Sequence, residues 1–190
     1  MPDERTSWNQ RYREHSHSAL QPDLFLVNSY EEFIQPLFPH GGLALDVAGG
    51  VGRHAIWLAQ RNWKVDLVDI SELGIAQAKQ RAKNCVANIQ FLVEDVKNFS
   101  FPRNRYDLVL VFFYLERTIF PKLLRTLRSG GLLLYKTYTR EQRKLGGGPS
   151  HPMYLLKANE LLHAFSKLQI LFYQETIRQR GIAELVVKKL

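Results

Sequence analysis

The sequence is poor in cysteine and in long apolar runs, and acidic residues are fewer than basic ones. Its 190 residues contain one cysteine, Cys85, which excludes an internal disulfide framework and a thiolate metal cluster. No apolar run approaches the roughly 18–20 residues of a membrane-spanning helix, and the charged N-terminal segment lacks the apolar core of a signal peptide. These absences predict a single domain over 1–190 in a reducing, cytoplasmic setting, with no membrane segment and no metal.

Lysine and arginine outnumber aspartate and glutamate by 26 to 18, which gives a formal charge of +8 and a pI near 9.7. Such a balance favours anionic partners in general. The basic residues are scattered, however, and no run of five or more occurs. A solvated basic surface is therefore the favoured interpretation, and nucleic-acid binding is the alternative.

From residue 43 onward, short apolar runs alternate with segments of helical periodicity. The predicted strands are 43–47, 64–69, 88–93, 106–112, 130–137, 168–174 and 182–188. The predicted helices are 53–61, 72–83, 118–128 and 158–164. Residues 7–38 are predicted to be helical, with a break at 21–23 and an end at Pro36 and Pro39. This pattern predicts a doubly wound α/β core over 41–190, with helices on both faces and an N-terminal helical cap over 1–40.

The end of the chain departs from this alternation. The strands at 168–174 and 182–188 are separated by a short polar turn that leaves no room for a parallel crossover. They are therefore predicted to form an antiparallel hairpin, so that a seven-stranded sheet contains one reversed strand.

The segment LDVAGGVGRHAIWLAQRNWKVDLVDIS, residues 45–71, is a predicted strand–loop–helix–strand unit. Gly49, Gly50 and Gly52 interrupt the extended pattern after the first strand. Asp69 ends the second strand about twenty residues later, the spacing at which an acid binds the ribose of a nucleotide-like ligand. A nicotinamide or flavin cofactor is one candidate, because GVGRHA at 50–55 fits the loose G-x-G-x-x-A pattern.

The chain resembles the class I S-adenosylmethionine-dependent methyltransferases, and among them the small tellurite-resistance-type methyltransferases. The resemblance runs from about Trp8 to the C-terminus and rests on WNQRY (8–12), LDVAGGVGRH (45–54), VDIS (68–71), EDV (94–96), YDLVLVFFYL (106–115) and RSGGLLLY (128–135). It implies a Rossmann-like methyltransferase sheet of order 3-2-1-4-5-7-6 with strand 7 antiparallel. Two features depart from the family: Ala48 stands in place of a glycine, and GGVG replaces a Cys-Gly-Glu-Gly turn.

The resemblance implies S-adenosyl-L-methionine as the cofactor. Asp69 is expected to accept both ribose hydroxyls, with helix capping as the alternative role. Gly50 and Gly52 are expected to leave space for the cofactor, with a simple tight turn as the alternative. Asp46 lies inside an apolar strand and needs donors, either from the cofactor's ammonium through water or from loop amides. Asp95 is expected to bind the adenine amine, and otherwise to be a turn residue.

Other residues complete the implied cofactor site. Trp8, Arg11 and Tyr12 share one helical face and are expected to cover the cofactor, with docking of the helix as the alternative. Phe112 is expected near the transferring methyl, or else in the core. The remaining expected contacts are Ala48, Gly49, Arg53, Ile70 and the amide of Val96. Arg53 opens the first helix after the glycines and is expected to pair with a carboxylate.

A long predicted loop, 139–157, follows the fifth strand. Its segment Gly146–His151 is expected to close over the cofactor together with Trp8–Tyr12, which would exclude water. Candidate bases or acceptor contacts are His15, His17 and His151, although a lone histidine is more often a surface residue. No catalytic residue is assigned, because methyl transfer from a sulfonium needs a base only when the acceptor carries a proton.

The sequence thus predicts methyl transfer to a small-molecule acceptor of the thiol, oxyanion or carboxylate type, by a monomer or weak dimer. The aromatic run FFY at 112–114, with Tyr135 and Tyr138, suggests a partly apolar acceptor pocket. Two alternatives stay open: an RNA or protein methyltransferase, and a non-catalytic S-adenosylmethionine-binding protein. The base-amine methyltransferase turn D/N-P-P-Y/F is replaced by FFYL, which disfavours a nucleic-acid acceptor.

Overall fold

Seven strands and seven α-helical segments make up the computed structural model, which describes residues 3–14, 19–83 and 88–190. The strands are β1 (Leu43–Val47), β2 (Lys64–Asp69), β3 (Ile89–Val93), β4 (Tyr106–Phe112), β5 (Leu127–Tyr138), β6 (Gln169–Thr176) and β7 (Ile182–Lys188). The helices are α1 (Glu4–Arg13), α2 (Leu24–Ser29), α3 (Gln35–Leu37), α4 (Arg53–Ala59), α5 (Glu72–Ala82), α6 (Phe120–Thr126) and α7 (Glu160–Ala164).

The strands form one mixed sheet of order β3-β2-β1-β4-β5-β7-β6. The pairs β1–β2, β2–β3 and β4–β5 are parallel, whereas β7 runs antiparallel to both β5 and β6. The predicted fold class, strand order and terminal hairpin are therefore confirmed.

The chain divides into two compact units, Met1–Ser100 and Phe101–Leu190. In the first unit, the interiors of β1 and β2 are almost fully buried, as is helix residue Leu58. In the second unit, β4, β5 and β7 provide continuous buried apolar runs. Such runs are expected for strands that are covered on both faces.

The N-terminal helical prediction needs correction. The first helix begins at Glu4, not residue 7, because the Asp3 carboxylate caps it by accepting the Thr6 N–H at 2.8 Å. After α2 the chain continues as a π-helix over Tyr30–Ile34 and then as α3. Pro36 therefore does not end the helix, which continues to Leu37.

Two further elements differ from prediction. The predicted loop 139–157 contains short 3-10 helices at Arg140–Lys144 and Pro152–Tyr154. The predicted helix 118–128 is a 3-10 turn, Arg117–Ile119, followed by α6. Within the part of the chain that the structure describes, no helix combines the length and apolar character needed to cross a membrane.

Candidate functional site

The loop between β1 and α4 turns sharply, and three of its residues have positive φ. The φ angles are 54° at Ala48, 56° at Gly50 and 73° at Gly52. A Cβ at Gly52 would lie 3.1 Å from side-chain atoms of both Ala78 and Leu67. Glycine thus meets a steric need at this position. Ala48, where the related family has glycine, adopts the left-handed conformation with local strain.

Asp69 ends β2, and its carboxylate is hydrogen-bonded to the glycine loop. Oδ2 accepts the Gly50 N–H at 2.8 Å, and Oδ1 accepts the Ser71 N–H at 2.8 Å. Each carboxylate oxygen can accept a second hydrogen bond, so both remain suited to ligand hydroxyls. The N-cap of α5 is Ser71 rather than Asp69, because the Ser71 Oγ accepts the Gly74 N–H at 3.0 Å.

Asp46 lies within β1 and is 1% exposed. Its Oδ2 accepts the Ala55 N–H at 3.2 Å, which links the strand to the start of α4. Gly49 passes directly over this carboxyl, since a Cβ at Gly49 would lie 2.7 Å from the Asp46 Cγ. The alternative in which backbone amides donate to Asp46 is therefore observed. The close approach of the loop to this carboxyl requires glycine at position 49.

Burial raises the pKa of both carboxyls. Desolvation raises the pKa of Asp46 to about 7, although the hydrogen bond from the Ala55 N–H and the charge of Arg53 act to lower it. The pKa of Asp69 is raised to about 6 by desolvation, opposed by the N–H groups of Ser71 and Gly50. Buried carboxyls with perturbed pKa values at adjacent strand ends are typical of a binding site.

Tyr12 of α1 lies over the glycine loop and is 6% exposed. A Cβ at Gly50 would overlap its phenol oxygen, and a Cβ at Gly74 would lie 2.9 Å from its ring. Burial raises the pKa of Tyr12, as do the charges of the site carboxylates. Its ring stacks on Trp8 at 5.9 Å, and the Arg11 guanidinium lies 4.7 Å from the Trp8 ring centroid. The three predicted residues thus form one cluster.

Asn9 is a site residue that the sequence prediction missed. Its Oδ1 accepts the Ser71 hydroxyl at 2.6 Å and the Leu73 N–H at 3.2 Å. The Gln77 side chain donates to the Tyr12 carbonyl at 3.2 Å. These bonds dock α1 on α5. Asn9 lies inside the WNQRY segment, but nothing in its spacing indicates partners so distant in the chain.

Two arginines flank the loop. Arg53, predicted to pair with a carboxylate, has its Nη2 3.9 Å from the Asp23 carboxylate. Arg81 was not predicted; it donates to the carbonyls of Val51 at 2.6 Å and Leu20 at 2.9 Å. Both of its partners are backbone atoms, which no sequence motif marks.

Asp95 follows β3 and forms a turn. Its Oδ1 accepts the Lys97 N–H at 2.9 Å, and its carbonyl accepts the Asn98 N–H at 2.8 Å. Val96 is buried, and Ile70 is half-buried next to Asp69. The turn alternative is observed for Asp95, and the adenine contacts of these residues stay a prediction.

In the second unit, the carboxyl end of β4 is aromatic. Phe112 ends the strand and is 7% exposed. Phe113 follows with φ 56°, and its ring centroid lies 5.1 Å from that of Tyr138. Tyr135, by contrast, is fully buried against Phe120. The prediction that Tyr135 lines an acceptor pocket is therefore not supported, because Tyr135 belongs to the core.

The segment after β5 is fixed by Gln142, which is 2% exposed. Its side chain donates to the carbonyls of Gly146 at 2.8 Å and Gly147 at 3.0 Å, and it accepts the Gly181 N–H at 3.0 Å. His151 accepts the Met153 N–H at 3.3 Å and so caps a short helix. The other predicted candidates, His15 and His17, lie outside the described residues, as does Cys85.

Residues 44–131 match the family described as a methyltransferase domain. The chain is similar to this family over β1 to β4 and the start of β5, and its sheet order is the one that the resemblance to class I methyltransferases implies. It is 30% identical to the ubiquinone/menaquinone biosynthesis C-methyltransferase UbiE of Stutzerimonas stutzeri, over 56% of this chain and 45% of that protein. The chain spans about half the length of the curated relatives that it matches.

Solved structures share the fold. TehB from Haemophilus influenzae superposes with a TM-score of 0.75 at 17% identity, over 96% of this chain and 67% of that one. A 1,6-didemethyltoxoflavin-N1-methyltransferase from Burkholderia thailandensis superposes with a TM-score of 0.74 at 14% identity, over 97% of this chain and 86% of that one. That structure contains 1,6-didemethyltoxoflavin and S-adenosylhomocysteine.

The 1,6-didemethyltoxoflavin-N1-methyltransferase structure contains S-adenosylhomocysteine, the demethylated form of the S-adenosyl-L-methionine that the resemblance implies as cofactor. The first unit supplies groups that fit it. The carboxylates of Asp69 and Asp46 suit hydroxyl and ammonium donors. The lack of a side chain at Gly50 and Gly52 accommodates Tyr12 and the core residues Ala78 and Leu67.

Proposed function

We propose that this chain transfers a methyl group from S-adenosyl-L-methionine to a small-molecule acceptor of the thiol, oxyanion or carboxylate type, in the cytoplasm and as a monomer or weak dimer. The observation that supports the proposal most is the Asp69 carboxylate. It is buried at the end of β2 and held in one orientation by two backbone N–H groups, as a ribose acceptor must be.

Asp69 accepts the two ribose hydroxyls, and Asp46 interacts with the ammonium of the methionine part, directly or through water. The glycine loop leaves space for the cofactor backbone. The remaining proposed contacts are Trp8, Arg11, Tyr12, Ala48, Gly49, Gly50, Arg53, Ile70, Asp95, Val96 and Phe112.

S-adenosyl-L-methionine supplies a methyl group that is already activated on a sulfonium. The residues of the chain therefore have to orient the reactants and exclude water. Tyr12 is placed for the second task, since its ring is buried over Gly50 and stacked on Trp8. No catalytic base is proposed, because an ionised acceptor carries no proton to remove.

Transfer of a labelled methyl group from S-adenosyl-L-methionine to a panel of thiols, oxyanions, carboxylic acids, RNA and protein tests the proposal. We expect label in at least one small molecule, and a large loss of rate in Asp69→Asn. The matched control is Asp107→Asn, a carboxylate of the second unit that pairs with Arg128. Label in RNA or protein alone would favour the macromolecular alternative. Cofactor binding without any transfer would favour a non-catalytic binding protein.

A further inference from the structure

A row of side chains crosses the carboxyl end of β4 and β5 and continues into β7 and β6. Phe112 is the register partner of Lys136, Lys136 of Glu184, and Glu184 of Gln174. Register partners on neighbouring strands project from the same face of a sheet. Lys136 is therefore the neighbour of Phe112, the residue expected next to the transferring methyl.

The middle of this row is a largely buried ion pair. The Lys136 ammonium lies 2.9 Å from the Glu184 Oε1, and the two side chains are each 12% exposed. Gln174 donates to the other carboxylate oxygen, Oε2, at 2.5 Å. Burying such a pair is costly, and apolar side chains of the same volume often stabilise a fold equally well. Stability alone thus gives no reason for this pair.

An aromatic surface adjoins the ammonium. Its nitrogen lies 5.7 Å from the ring centroid of Phe113, which packs at 45° against Tyr138. Phe113 has a φ of 56°, a strained conformation for a bulky residue, and residues in such conformations cluster at functional sites. The strained turn is fixed on both sides: the Phe113 N–H donates to the Lys136 carbonyl at 2.7 Å, and the Tyr135 hydroxyl donates to the Tyr114 carbonyl at 2.9 Å.

We propose that Phe113, Lys136, Tyr138 and Glu184 form the acceptor subsite, and that the acceptor is a planar aromatic oxyacid. Such a molecule is a conjugated ring that carries a carboxylate or an ionised hydroxyl. Its face packs on Phe113 and Tyr138, and its anionic oxygen binds the Lys136 ammonium. Glu184 is a positioning residue: because Gln174 fixes it, it holds the ammonium towards the rings.

This subsite rests on the proposed function and makes it more specific. The ionised oxygen of the acceptor forms the new bond to the methyl carbon. The carbon–sulfur bond of the sulfonium breaks, and its electron pair stays on sulfur. An anion and a cation thus give two neutral products, a methyl ester or ether and a thioether. No proton has to be removed, which agrees with the lack of an assigned base.

Two arginines of the second unit form their hydrogen bonds away from this row. Arg117 donates to Glu160 at 2.6 Å and to the carbonyls of Met153 and Leu155. Arg128 pairs with Asp107 at 3.2 Å, at the beginning of β4 and β5. Lys136, by contrast, lies at the carboxyl end of these strands and next to an aromatic surface.

The test is calorimetric titration of the protein, saturated with S-adenosylhomocysteine, with benzoate, salicylate, 4-hydroxybenzoate and 2-naphthoate. We expect at least one of these to bind, and to bind at least about tenfold tighter than cyclohexanecarboxylate, which is charged but not planar. Benzamide, which is planar but uncharged, should also bind at least about tenfold more weakly than benzoate. Equal binding of these analogues, or no binding of any aromatic oxyacid, would overturn the proposal.

Variants locate the subsite. Lys136→Met should lower aromatic oxyacid affinity at least about tenfold. The double variant Lys136→Met/Glu184→Met removes the whole ion pair, so it should fold even if the single variant does not. Phe113→Gly should relieve the positive φ while weakening oxyacid binding. The matched control is Lys122→Met, because the Lys122 ammonium lies 5.8 Å from the Phe101 ring, away from the strand ends.

Affinity for S-adenosylhomocysteine distinguishes a wrong acceptor subsite from a wrong proposed function. We expect it to stay within about twofold of the wild type in all four variants, since none alters the glycine loop or its carboxylates. Wild-type oxyacid affinity in a folded double variant would overturn the acceptor subsite alone. Failure of the wild-type protein to bind S-adenosylhomocysteine would instead contradict the proposed function.

Discussion

Asp69 carries two interactions that affect its ionisation in opposite directions. Its hydrogen bonds from two backbone N–H groups favour the carboxylate, whereas burial raises its pKa to about 6. Ribose hydroxyls would add further donors and favour the ionised form. Cofactor binding and ionisation of Asp69 are therefore expected to be coupled.

Asp69→Asn should weaken binding of S-adenosylhomocysteine roughly ten- to a hundredfold at pH 8. Charge-assisted hydrogen bonds are typically worth about 1.5–3 kcal/mol each, and losses in one network are not additive. Calorimetry measures the affinity, and Asp107→Asn should leave it unchanged. If Asp69→Asn binds as tightly as the wild type, another residue holds the ribose.

The raised pKa values also predict how stability depends on pH. A carboxyl whose pKa is higher in the folded protein than the usual value of about 3.9 binds more protons when folded. Its contribution to the free energy of unfolding therefore falls as pH rises between about 4 and 7. Asp46 and Asp69 both have this sign.

In the ligand-free protein, the stability of Asp69→Asn relative to the wild type should thus increase from pH 4 to pH 7. Denaturant unfolding across that range measures the difference. A difference that stays constant, or that falls with pH, would contradict a raised pKa for Asp69.

Ala48→Gly should stabilise the protein by about 0.5–1 kcal/mol, because glycine removes the strain of a left-handed alanine. The free energy of unfolding from denaturant titration checks this value. The control is Ala55→Gly in the buried face of α4, which should destabilise by about 1 kcal/mol. Equal destabilisation by both substitutions would show that Ala48 is unstrained.

The glycine loop was predictable at the residue scale because its signals are local: positive φ selects glycine, and Asp69 follows at a fixed spacing. The contacts of Asn9 and Arg81 were not predictable. Asn9 bonds to Ser71, 62 residues away in the sequence, and Arg81 bonds to the backbone carbonyl of Val51, 30 residues away. The Arg53–Asp23 pair shows an intermediate case. The type of partner was foreseen, but its identity depends on the fold.

At the scale of elements, α1 is docked by few interactions. Asn9 accepts two hydrogen bonds from the start of α5, and Tyr12 packs on the glycine loop. The pair of Arg5 with Glu72 is exposed and adds little. The helix has only one buried residue of its own. Its docking is therefore expected to depend on Asn9 and on the cofactor beneath it.

Hydrogen exchange tests this expectation. In the wild type, S-adenosylhomocysteine should slow exchange in residues 4–14 and 139–157. Asn9→Ala should speed exchange in α1 and weaken cofactor binding about three- to tenfold. The substitution removes the oxygen that accepts hydrogen bonds from both the Ser71 hydroxyl and the Leu73 N–H. The control is Gln10→Ala, whose side chain bonds only to Glu14 of the same terminal segment in the contacts described. Strong protection of both segments without ligand would show that they are fixed structure.

The strands were predicted more accurately than the helices. β1, β2, β4 and β7 have the predicted bounds, because buried parallel or central strands are apolar runs ended by polar or glycine residues. The π-helix and the 3-10 segments were missed. Their geometry depends on packing, as Gln142 shows by fixing the turn after β5 to Gly181.

At the scale of the whole molecule, the terminal hairpin follows from the length of the turn between β6 and β7, which is too short for a parallel crossover. The full strand order followed from the family resemblance. The acceptor does not follow from the fold, because similar proteins are named for different reactions, a ubiquinone/menaquinone biosynthesis C-methyltransferase and a 1,6-didemethyltoxoflavin-N1-methyltransferase among them.

The most direct measurement is calorimetric titration of the wild-type protein with S-adenosylhomocysteine and, separately, with NAD. Asp46, the glycine loop and Asp69 predict saturable binding of S-adenosylhomocysteine with one site per chain, and no binding of NAD. Tight binding of NAD with no response to S-adenosylhomocysteine would contradict the account.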